Sequence, residues 1–391
     1  MTTSNQKNIP ALRFKEFDGE WEKDEISNLF IIKVGGTINK ENVSSFKNKE
    51  FPYPIYANAE KKKGLYGYSN IYKFEGGAVT IAGRGNIGIA HARNHAFFPI
   101  VRLLVLIPKK DADIYFYEYA FNNLNFFIEG TGVPQLTSRQ LSTRKVFFPS
   151  LPEQQKIARF LTAIDQKINQ LSQKVQLQER YKKGVMQKLF SQELRFKDAD
   201  GKDFADWEVK RLGEVFSERN EKEPKSRRYP LMSFIAKKGV VPKGDRYNRE
   251  FLVKNTDSKK YKKTEYGDFI YSSNNLETGS IGVNRYGSAS ISPVYSIFKI
   301  AKSCDCLFIH GFCTRKKFIH KMVRYRQGVV YGQWRIHESN FLKIEEAFPS
   351  LPEQQKIAHF LSQLDEQIER TRQQLAHLQD YKKGLLQQLF V

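Results

Sequence analysis

The sequence has few cysteines, few acidic residues and no long apolar run. Three cysteines are too few for a disulfide framework. The most apolar stretch, "AFFPIVRLLVLIP" from Ala96, is shorter than a membrane span and contains Arg102, so it predicts a buried strand. The first ten residues, "MTTSNQKNIP", are polar and lack the apolar segment of a signal peptide. These absences favour a soluble, cytoplasmic protein.

The shortage of acidic residues leaves a large positive charge. Lys and Arg number 64 against 42 Asp and Glu, a formal net charge of +22. Such a charge repels itself in a compact chain, which indicates a polyanionic partner. Nucleic acid is the commonest partner of this kind, and an anionic membrane surface is the rival.

Motifs for covalent chemistry are scarce. The sequence has no Gly-x-x-x-x-Gly-Lys-Ser/Thr loop, no "NPPY"-type methyltransferase motif and no convincing carboxylate cluster of a nuclease. "AGRGNIG" contains Gly83, Gly85 and Gly88, but a dinucleotide site needs a helix next, and "IAHARNHAFFPI" is a poor helix. We therefore predict a tight turn that presents Arg84 and Asn86, in a chain that is not itself an enzyme and binds no cofactor.

The spacing of the cysteines also argues against a zinc site. Cys304, Cys306 and Cys313 lie near His310 and His320. Zinc sites usually contain Cys-x-x-Cys pairs, whereas Cys-x-Cys with a lone third cysteine is a weak match. We predict buried thiols beside a strand and no metal site.

The stretch "FPSLPEQQKIA" occurs twice, from Phe148 and from Phe348. Each copy leads into a segment that closes with "YKKG" and a Leu-Phe pair, and roughly half of the aligned positions are identical. Upstream, "LRFKEFDGEW" at Leu12 resembles "LRFKDADGKDFADW" at Leu194. The regions between, about 25–147 and 208–347, show no evident similarity to each other. Each half therefore has a short lead, a variable region and a repeated segment.

The repeated segment predicts a long helix. Ser150 and Glu153, like Ser350 and Glu353, have the Ser-x-x-Glu spacing of a capping box. Apolar residues then recur in alternating steps of four and three, which is typical of a coiled coil. A helix that packs only on its own domain is the alternative. The predicted seam comprises Ile157, Leu161, Ile164, Ile168, Leu171 and Val175, and Ile357, Leu361, Leu364, Ile368, Leu375 and Leu378.

Basic and aromatic residues alternate in the variable regions. The stretch from Cys313 to Arg335 has seven Lys or Arg and no acid. Lys and Arg bind phosphates, and Arg, Asn and Gln read base edges. A solvated charged surface is the plainer interpretation. The candidate DNA-binding residues are Lys61, Lys62, Lys63, Tyr66, Arg84, Asn86 and Arg139 in the first half, and Arg227, Arg228, Lys262, Asn274, Asn275, Arg315, Lys316, Arg324, Arg326, Gln333 and Arg335 in the second.

Together these patterns predict two α/β (α+β) domains and two long helices that pair as an antiparallel coiled coil. Within the variable regions, "GGAVTIAG" and "GDFIYSS" predict strands, and "DIYFYEYAFNNL" predicts a short helix. The expected divisions are residues 1–147, 148–193, 194–347 and 348–391. Two matching helices give the chain an internal repeat with a pseudo-two-fold axis.

This layout resembles the specificity subunit of type I restriction–modification systems. The resemblance covers essentially the whole chain and rests on the paired "FPSLPEQQKIA" segments, the "LRF…W" leads and "GTGVPQLT" at Gly130. In the second half "YGQWRI" at Tyr331 has the equivalent offset. The resemblance implies two target recognition domains, each binding one half of a split double-stranded DNA site. It also implies helices that fix the gap, two docked methyltransferase subunits, and restriction subunits that join them.

The resemblance assigns the chemistry to the partners. S-adenosylmethionine, ATP and Mg²⁺ would be bound by those subunits, which methylate adenine N6 and cleave DNA with ATP. A stand-alone bipartite DNA-binding regulator remains the alternative, and an enzyme acting alone is disfavoured by the missing motifs. The sequence gives neither the DNA motif nor the gap length, and leaves the role of Gly184 and Gly384 open.

Overall fold

The computed structural model describes residues 8–124, 126, 134–243, 259–329 and 333–391. The chain divides into two compact units, Met1–Lys174 with Thr371–Val391, and Val175–Arg370. Each unit combines one variable region with parts of both repeated segments. The variable regions are α+β, as predicted.

Unit 1 begins with antiparallel strands and short helices. Its strands are β1 Glu22–Glu25, β2 Phe30–Val34, β3 Val43–Ser44, β4 Tyr53–Tyr56, β5 Leu65–Ser69, β6 Ala78–Ala82, β7 Ala90–Arg93, β8 Phe98–Pro99, β9 Leu103–Pro108 and β10 Lys145–Phe148. Its short helices are α1 Ile26–Leu29, α2 Ile114–Asn123 and α3 Ser138–Ser142, and the first long helix, α4, is Leu151–Phe190. The sheets have the orders β2-β9-β6-β7, β3-β5-β4-β8 and β1-β10.

Unit 2 repeats much of this arrangement. Its strands are β11 Glu208–Arg211, β12 Phe216–Glu218, β13 Lys222–Pro224, β14 Met232–Ile235, β15 Gly239–Pro242, β16 Lys260–Thr264, β17 Phe269–Tyr271, β18 Ile281–Val283, β19 Ala289–Ile291, β20 Ser296–Ile300, β21 Gln327–Val329, β22 Gln333–Arg335 and β23 Glu345–Phe348. Its helices are α5 Leu212–Val215, α6 Cys306–Cys313, α7 Lys316–Val323, α8 Glu338–Leu342 and α9 Leu351–Leu389.

The central sheets of the two units have the same strand order. In unit 2 it is β12-β20-β17-β18, which matches β2-β9-β6-β7 strand for strand in chain order. Likewise β11 pairs with β23 as β1 pairs with β10. The remaining strands differ, since unit 2 has the separate sheets β13-β16-β19, β14-β15 and β21-β22. The two dissimilar variable regions therefore share one framework.

The predicted strands and short helix are present, with one difference. "GGAVTIAG" contains β6, "GDFIYSS" contains β17 and "DIYFYEYAFNNL" contains α2. The stretch from Ala96, however, forms β8 and β9 in two different sheets. Arg102 lies between them with φ 69°, a left-handed conformation that interrupts an extended chain. The expected single strand is thus divided at its one charged residue.

The repeated "PEQQ" sequence anchors each long helix to its own domain. Glu153, 1% exposed, accepts from Arg13 Nε at 2.8 Å and from Arg13 Nη2 at 2.7 Å, and Glu353 accepts from Arg195 in the same way. Gln154 accepts from the Asp113 backbone N–H at 3.1 Å and donates to the Pro149 carbonyl. Each long helix begins where the capping-box pattern predicted it, and the glutamate carboxylate binds the arginine of the "LRF" lead.

The equivalent glutamine of the second repeat, Gln354, makes the same contacts. Gln354 accepts from the Asp305 N–H at 2.9 Å and donates to the Pro349 carbonyl. Asp113 and Asp305 in turn cap α2 and α6 through their side chains. The "LRF" lead, the "PEQQ" sequence and the cap of the preceding domain helix therefore form one packing arrangement that occurs twice.

In unit 1 the two long helices run antiparallel. Ile157 and Leu161 near the start of α4 share a core with Leu389 and Phe390. Further along α4, Lys167 to Lys174 line a groove together with Gln374 to Tyr381. Phe390 stacks on Phe116 with ring centroids 5.5 Å apart. The end of α9 is thus part of the core of the first domain.

Unit 2 shows the corresponding arrangement. Leu189 and Phe190 of α4 share a core with Ile357 and Leu361 of α9. Phe190 packs against Phe308 of α6 with centroids 5.7 Å apart. Each predicted alternative for the helices is therefore partly right, because the seam residues pack on the opposite helix and also on the domain. Within the seam, Ile168, Val175, Leu364, Leu375 and Leu378 are half-buried and the others are buried.

Candidate nucleic-acid interface

Matching loops follow the third strand of each central sheet. In unit 1, β6 leads into residues 83–89 and then β7, and in unit 2, β17 leads into residues 272–280 and then β18. The glycine-rich loop in unit 1 is thus followed by a strand and not by the helix of a dinucleotide site. The candidates Arg84, Asn86, Asn274 and Asn275 all lie on these two loops.

Four separate segments meet at the loop of unit 1. The Asn58 side chain accepts from the Gly83 N–H at 2.8 Å and donates to the Val101 carbonyl at 3.0 Å. The Leu136 N–H donates to the Gly83 carbonyl at 2.9 Å. A Cβ on Gly83 would lie 2.6 Å from the Arg102 carbonyl oxygen, so this position requires glycine. The loop is therefore held by hydrogen bonds to Asn58 and Leu136, which lie 25 and 53 positions from Gly83 in the sequence.

Two candidate readers in unit 1 are oriented by side chains that sequence analysis did not single out. Arg84 donates from Nε at 3.3 Å and from Nη2 at 3.2 Å to the Gln135 side-chain oxygen. Asn86 donates to the Glu60 carboxylate at 2.6 Å. Both candidates remain partly or fully exposed. A guanidinium held in this way keeps further N–H donors for a base edge or phosphate.

Lys61, Lys62 and Lys63 form an exposed turn beside this loop. Lys62 and Lys63 have φ values of 51° and 53°. Tyr66, which follows the turn, is 65% exposed. Because Glu60 at the start of the turn binds Asn86, the structure brings these lysines together with the arginine loop. Arg139, on α3, instead lines a shallow groove with Lys109 and Ile31 beside β2.

The loop of unit 2 is joined to the hairpin of β21 and β22. Asn274 accepts from the Trp334 N–H at 2.6 Å, and Ser273 accepts from the Ile336 N–H at 3.0 Å. Gln333 and Arg335 flank Trp334 on β22 and are exposed. The exposed Trp334 ring was not among the candidates, although an aromatic residue between Gln and Arg is a usable signal for a stacking contact.

Ile336 in unit 2 has the same role as Leu136 in unit 1. Both are buried, both precede a short helix, and both donate a backbone N–H to the loop after the third strand. This supports the equivalent offset expected for "GTGVPQLT" and "YGQWRI". Residues 130–133 and 331–332 of those motifs lie outside the described residues.

Three of the candidate cations in unit 2 have partners inside the fold. Lys262 is 5% exposed and donates to the Tyr295 carbonyl at 3.0 Å, and burial lowers its pKa. Arg315 lies 3.9 Å from the centroid of the Phe312 ring, and burial lowers its pKa as well. The Arg326 side chain is 9% exposed and pairs with Glu277 at 2.9 Å. These three stabilise the domain and leave little surface for DNA.

The remaining candidates in unit 2 lie on the surface at two other places. Arg227 and Arg228 precede β14, where Arg228 and Lys263 lie over the Tyr229 ring. Lys316 and Arg324 lie at the two ends of α7 and are exposed.

The described residues contain no group of three or more His, Cys, Asp or Glu that could hold a metal ion. Cys313 is fully buried, and burial raises the pKa of its thiol. Across the same parts of the chain, no helix is long and apolar enough to cross a membrane. Together with the neighbouring lysine turn and hairpin, the two loops offer hydrogen-bond donation by guanidinium, amide and ammonium groups.

A family profile described as type I restriction modification DNA specificity domain matches residues 18–179 and again residues 205–380. The chain belongs to this family. The two matches each cover one variable region and most of the long helix that follows it. The specificity-domain family thus accounts for both halves of the chain and for the repeat.

Several curated relatives are similar to segments of the chain. Two Mycoplasma pneumoniae proteins assigned as type I specificity subunits are 35% identical over 130 residues, 32% of this chain and 35% of the relative, and 32% identical over 148 residues, 38% and 43% respectively. The MjaVIII specificity subunit of Methanocaldococcus jannaschii is 34% identical over 92 residues, 22% of each chain. The alignments span less than half of the length of these relatives.

Solved structures from type I restriction–modification systems share the fold over nearly the whole chain. The S subunit of a type I system from M. genitalium superposes with a TM-score of 0.62 at 17% identity, covering 98% of this chain and 99% of that one. A chain from a study of assembly and conformational transition of the type I R-M system gives 0.52 at 14% identity, with 95% and 97% covered. The fold of the specificity-domain family extends through both units.

Proposed function

We propose that this chain is the sequence-reading subunit of a type I restriction–modification complex. The observation that carries the proposal is that each unit presents one loop cluster of hydrogen-bond donors at the same position of the same framework. Arg84 and Asn86 form it in unit 1, and Asn274, Gln333 and Arg335 form it in unit 2. Different donors at equivalent positions suit two different half-sites of one bipartite DNA sequence.

We extend the proposal to the division of labour within the complex. The paired α4 and α9 helices set the gap between the half-sites and provide two equivalent docking surfaces for two methyltransferase subunits. Restriction subunits join that complex. The chain contributes no catalytic step, and S-adenosylmethionine, ATP and Mg²⁺ are bound by the partners. The expected divisions at residues 147, 193 and 347 remain a prediction.

The proposal is tested by mapping methylated adenines across the genome. Cells that express the cognate methyltransferase subunit are compared with and without this chain. The expected result is a new motif of two unlike half-sites around a fixed gap. An assembled complex that produces no new methylation would reject the proposal and favour a DNA-binding protein that acts alone.

A further inference from the structure

Both units contain a lysine-rich turn next to the loop that follows the third strand of the central sheet. This loop, residues 83–89 in unit 1 and 272–280 in unit 2, is called the reading loop below. The first, lysine turn 1, is the sequence "KKKG" at Lys61–Gly64. The second, lysine turn 2, is "KKG" at residues 237–239, between β14 and β15. The variable regions have no evident sequence similarity, and Lys237 and Lys238 were not among the predicted DNA contacts. Their common placement became visible only in the structure.

In lysine turn 1 the backbone adopts an unfavourable conformation. Lys62 and Lys63 have positive φ values, and Gly64 follows with φ 80°. Left-handed backbone is unfavourable for residues with a Cβ, apart from asparagine and aspartate. The Ala57 N–H donates to the Gly64 carbonyl at 2.8 Å and closes the turn. All three lysine side chains are exposed.

A buried arginine supports lysine turn 1 from below. Arg93 is 3% exposed, donates from Nη2 to the Lys63 carbonyl at 2.6 Å and from Nε to the Thr80 hydroxyl at 3.0 Å. Its guanidinium carbon lies 3.4 Å from the centroid of the Tyr56 ring. The left-handed backbone of the lysines is therefore held in place by contacts with the core of the domain.

Lysine turn 2 also combines left-handed backbone with exposed lysines. Lys237 has φ 64° and Gly239 has φ 79°. The Lys237 N–H donates at 3.0 Å to the carbonyl of Gly279 in the reading loop. A Cβ on Gly279 would lie 2.9 Å from the Lys237 Cγ atom, so a glycine permits this close approach. Both lysine side chains of the turn are exposed.

Adjacent ammonium groups repel each other, and a left-handed backbone adds to the cost of folding. The Glu118 carboxylate, 3.8 Å from Lys63 Nζ, offsets part of this cost in lysine turn 1, and an external anion would offset the remainder in both domains. We propose that the two lysine turns are preformed clamps for the phosphate backbone of duplex DNA. They hold each reading loop at its half-site without contributing to the choice of sequence. This inference rests on the proposed function.

The test uses paired Lys→Asn variants, because asparagine tolerates the left-handed conformation while the charge is lost. The variants are Lys62→Asn with Lys63→Asn, and Lys237→Asn with Lys238→Asn. The control is Lys15→Asn with Lys202→Asn, one exposed lysine from the "LRF…W" lead of each unit. Each is assembled as the full chain with its methyltransferase partner and titrated with a random-sequence DNA duplex over a series of salt concentrations.

Loss of two phosphate contacts is expected to make the slope of log K against log[salt] less steep by up to about 2 for either turn. The methylation motif stays the same and the control pair keeps the wild-type slope. A slope unchanged from the control overturns the clamp, as does a relaxed motif, which would mean that the lysines read bases. Failure of the wild-type complex to bind or methylate DNA would instead reject the proposed function.

The contribution of Arg93 is tested with Arg93→Met, alone and combined with Lys62→Asn and Lys63→Asn. If Arg93 acts as a positioning residue through the turn, the losses in affinity are not additive, and the combined variant binds about as weakly as the lysine pair. Fully additive losses in a folded complex would mean that Arg93 acts elsewhere. A native-like amide exchange pattern in the Arg93→Met chain confirms that it has folded.

Discussion

At the scale of single residues, polar side chains of similar type have different duties in the two domains. Asn58 uses both ends of its amide to hold the loop of unit 1. Arg84 is itself held by Gln135 and remains partly exposed. Arg326 is buried against Glu277. Residue type and charge alone do not separate these cases, because the difference is in what surrounds each side chain.

Arg84→Ala is expected to relax the sequence requirement in one half-site and leave the other unchanged. A bidentate arginine–base contact contributes about 1–3 kcal/mol of discrimination between bases. Arg84 lies on the loop of unit 1, which reads one of the two half-sites. Gln135→Ala should relax the same half-site to a smaller degree, because the guanidinium loses its orientation. The adenine methylation map measures both. Equal weakening at all sequences would show that Arg84 contacts phosphate.

His310 makes unit 2 sensitive to mild acid. Burial lowers the pKa of its imidazole to about 4, and Nδ1 accepts from the Val283 N–H at 3.3 Å. The unfolded chain takes up the proton near pH 6.5, whereas the folded chain does so only near pH 4. This contribution to stability is therefore complete above pH 6.5 and is lost as pH falls toward 4, by about 3 kcal/mol in total.

The His310→Gln variant should lose most of this pH dependence. Glutamine retains an acceptor for the Val283 N–H but does not titrate. Urea unfolding of both chains at several pH values between neutral and pH 4.5 provides the comparison, with the imidazole pKa measured directly by NMR. An imidazole that titrates near its ordinary pKa in the folded chain would contradict the prediction.

At the scale of elements, each long helix ends at or next to a buried phenylalanine, Phe190 for α4 and Phe390 for α9, called here its aromatic plug. Phe390 is 8% exposed and packs on Trp21 and Phe116 in unit 1. Phe390→Ala should destabilise the chain by about 3 kcal/mol, since burial and the cavity both count. Phe46→Ala is the matched control because Phe46 is 79% exposed. Equal unfolding midpoints for the two variants would show that the plug contributes nothing.

The helix pair should act as a ruler only when both helices change together. Asp165 binds Lys382 at 2.6 Å in unit 1, and Lys182 binds Asp365 in unit 2. A heptad inserted between Ile168 and Val175, matched by one between Ile368 and Leu375, preserves both ion pairs. It adds about 10 Å, the length of roughly three base pairs for a helix lying along the duplex.

The expected result of the matched insertion is a longer gap between unchanged half-sites, read from the methylation motif. An insertion in α4 alone removes the seam from register and should abolish methylation. A motif with the original gap after the matched insertion would end the ruler interpretation.

Gly184 and Gly384 do not disturb the helices, and a Cβ at either would meet no atom within 4 Å.

At the scale of the whole molecule, the repeated segments were the most predictable part. Their helices begin at Leu151 and Leu351, directly after the predicted caps, because capping and periodicity are local signals. The common order of the central sheets was not predictable, since strands of three to six residues need only buried apolar side chains of many kinds. Nor were Arg84–Gln135 and Asn274–Trp334, which depend on long-range loop packing.

The composition of unit 1 has a consequence during synthesis. Residues 371–391 belong to this unit, so its core lacks Leu389 and Phe390 until the 217 residues from Val175 to Val391 have been made. At about 5–20 residues per second, translation of that stretch takes roughly 10–40 s. During this time Trp21 and Phe116 lack their contacts with Phe390. Leu189 and Phe190, which correspond to Leu389 and Phe390 in the first repeat, leave the ribosome earlier. The core of unit 1 is therefore the last to be completed. Until then, Leu189 and Phe190 can occupy the site in this core that Leu389 and Phe390 fill in the folded chain.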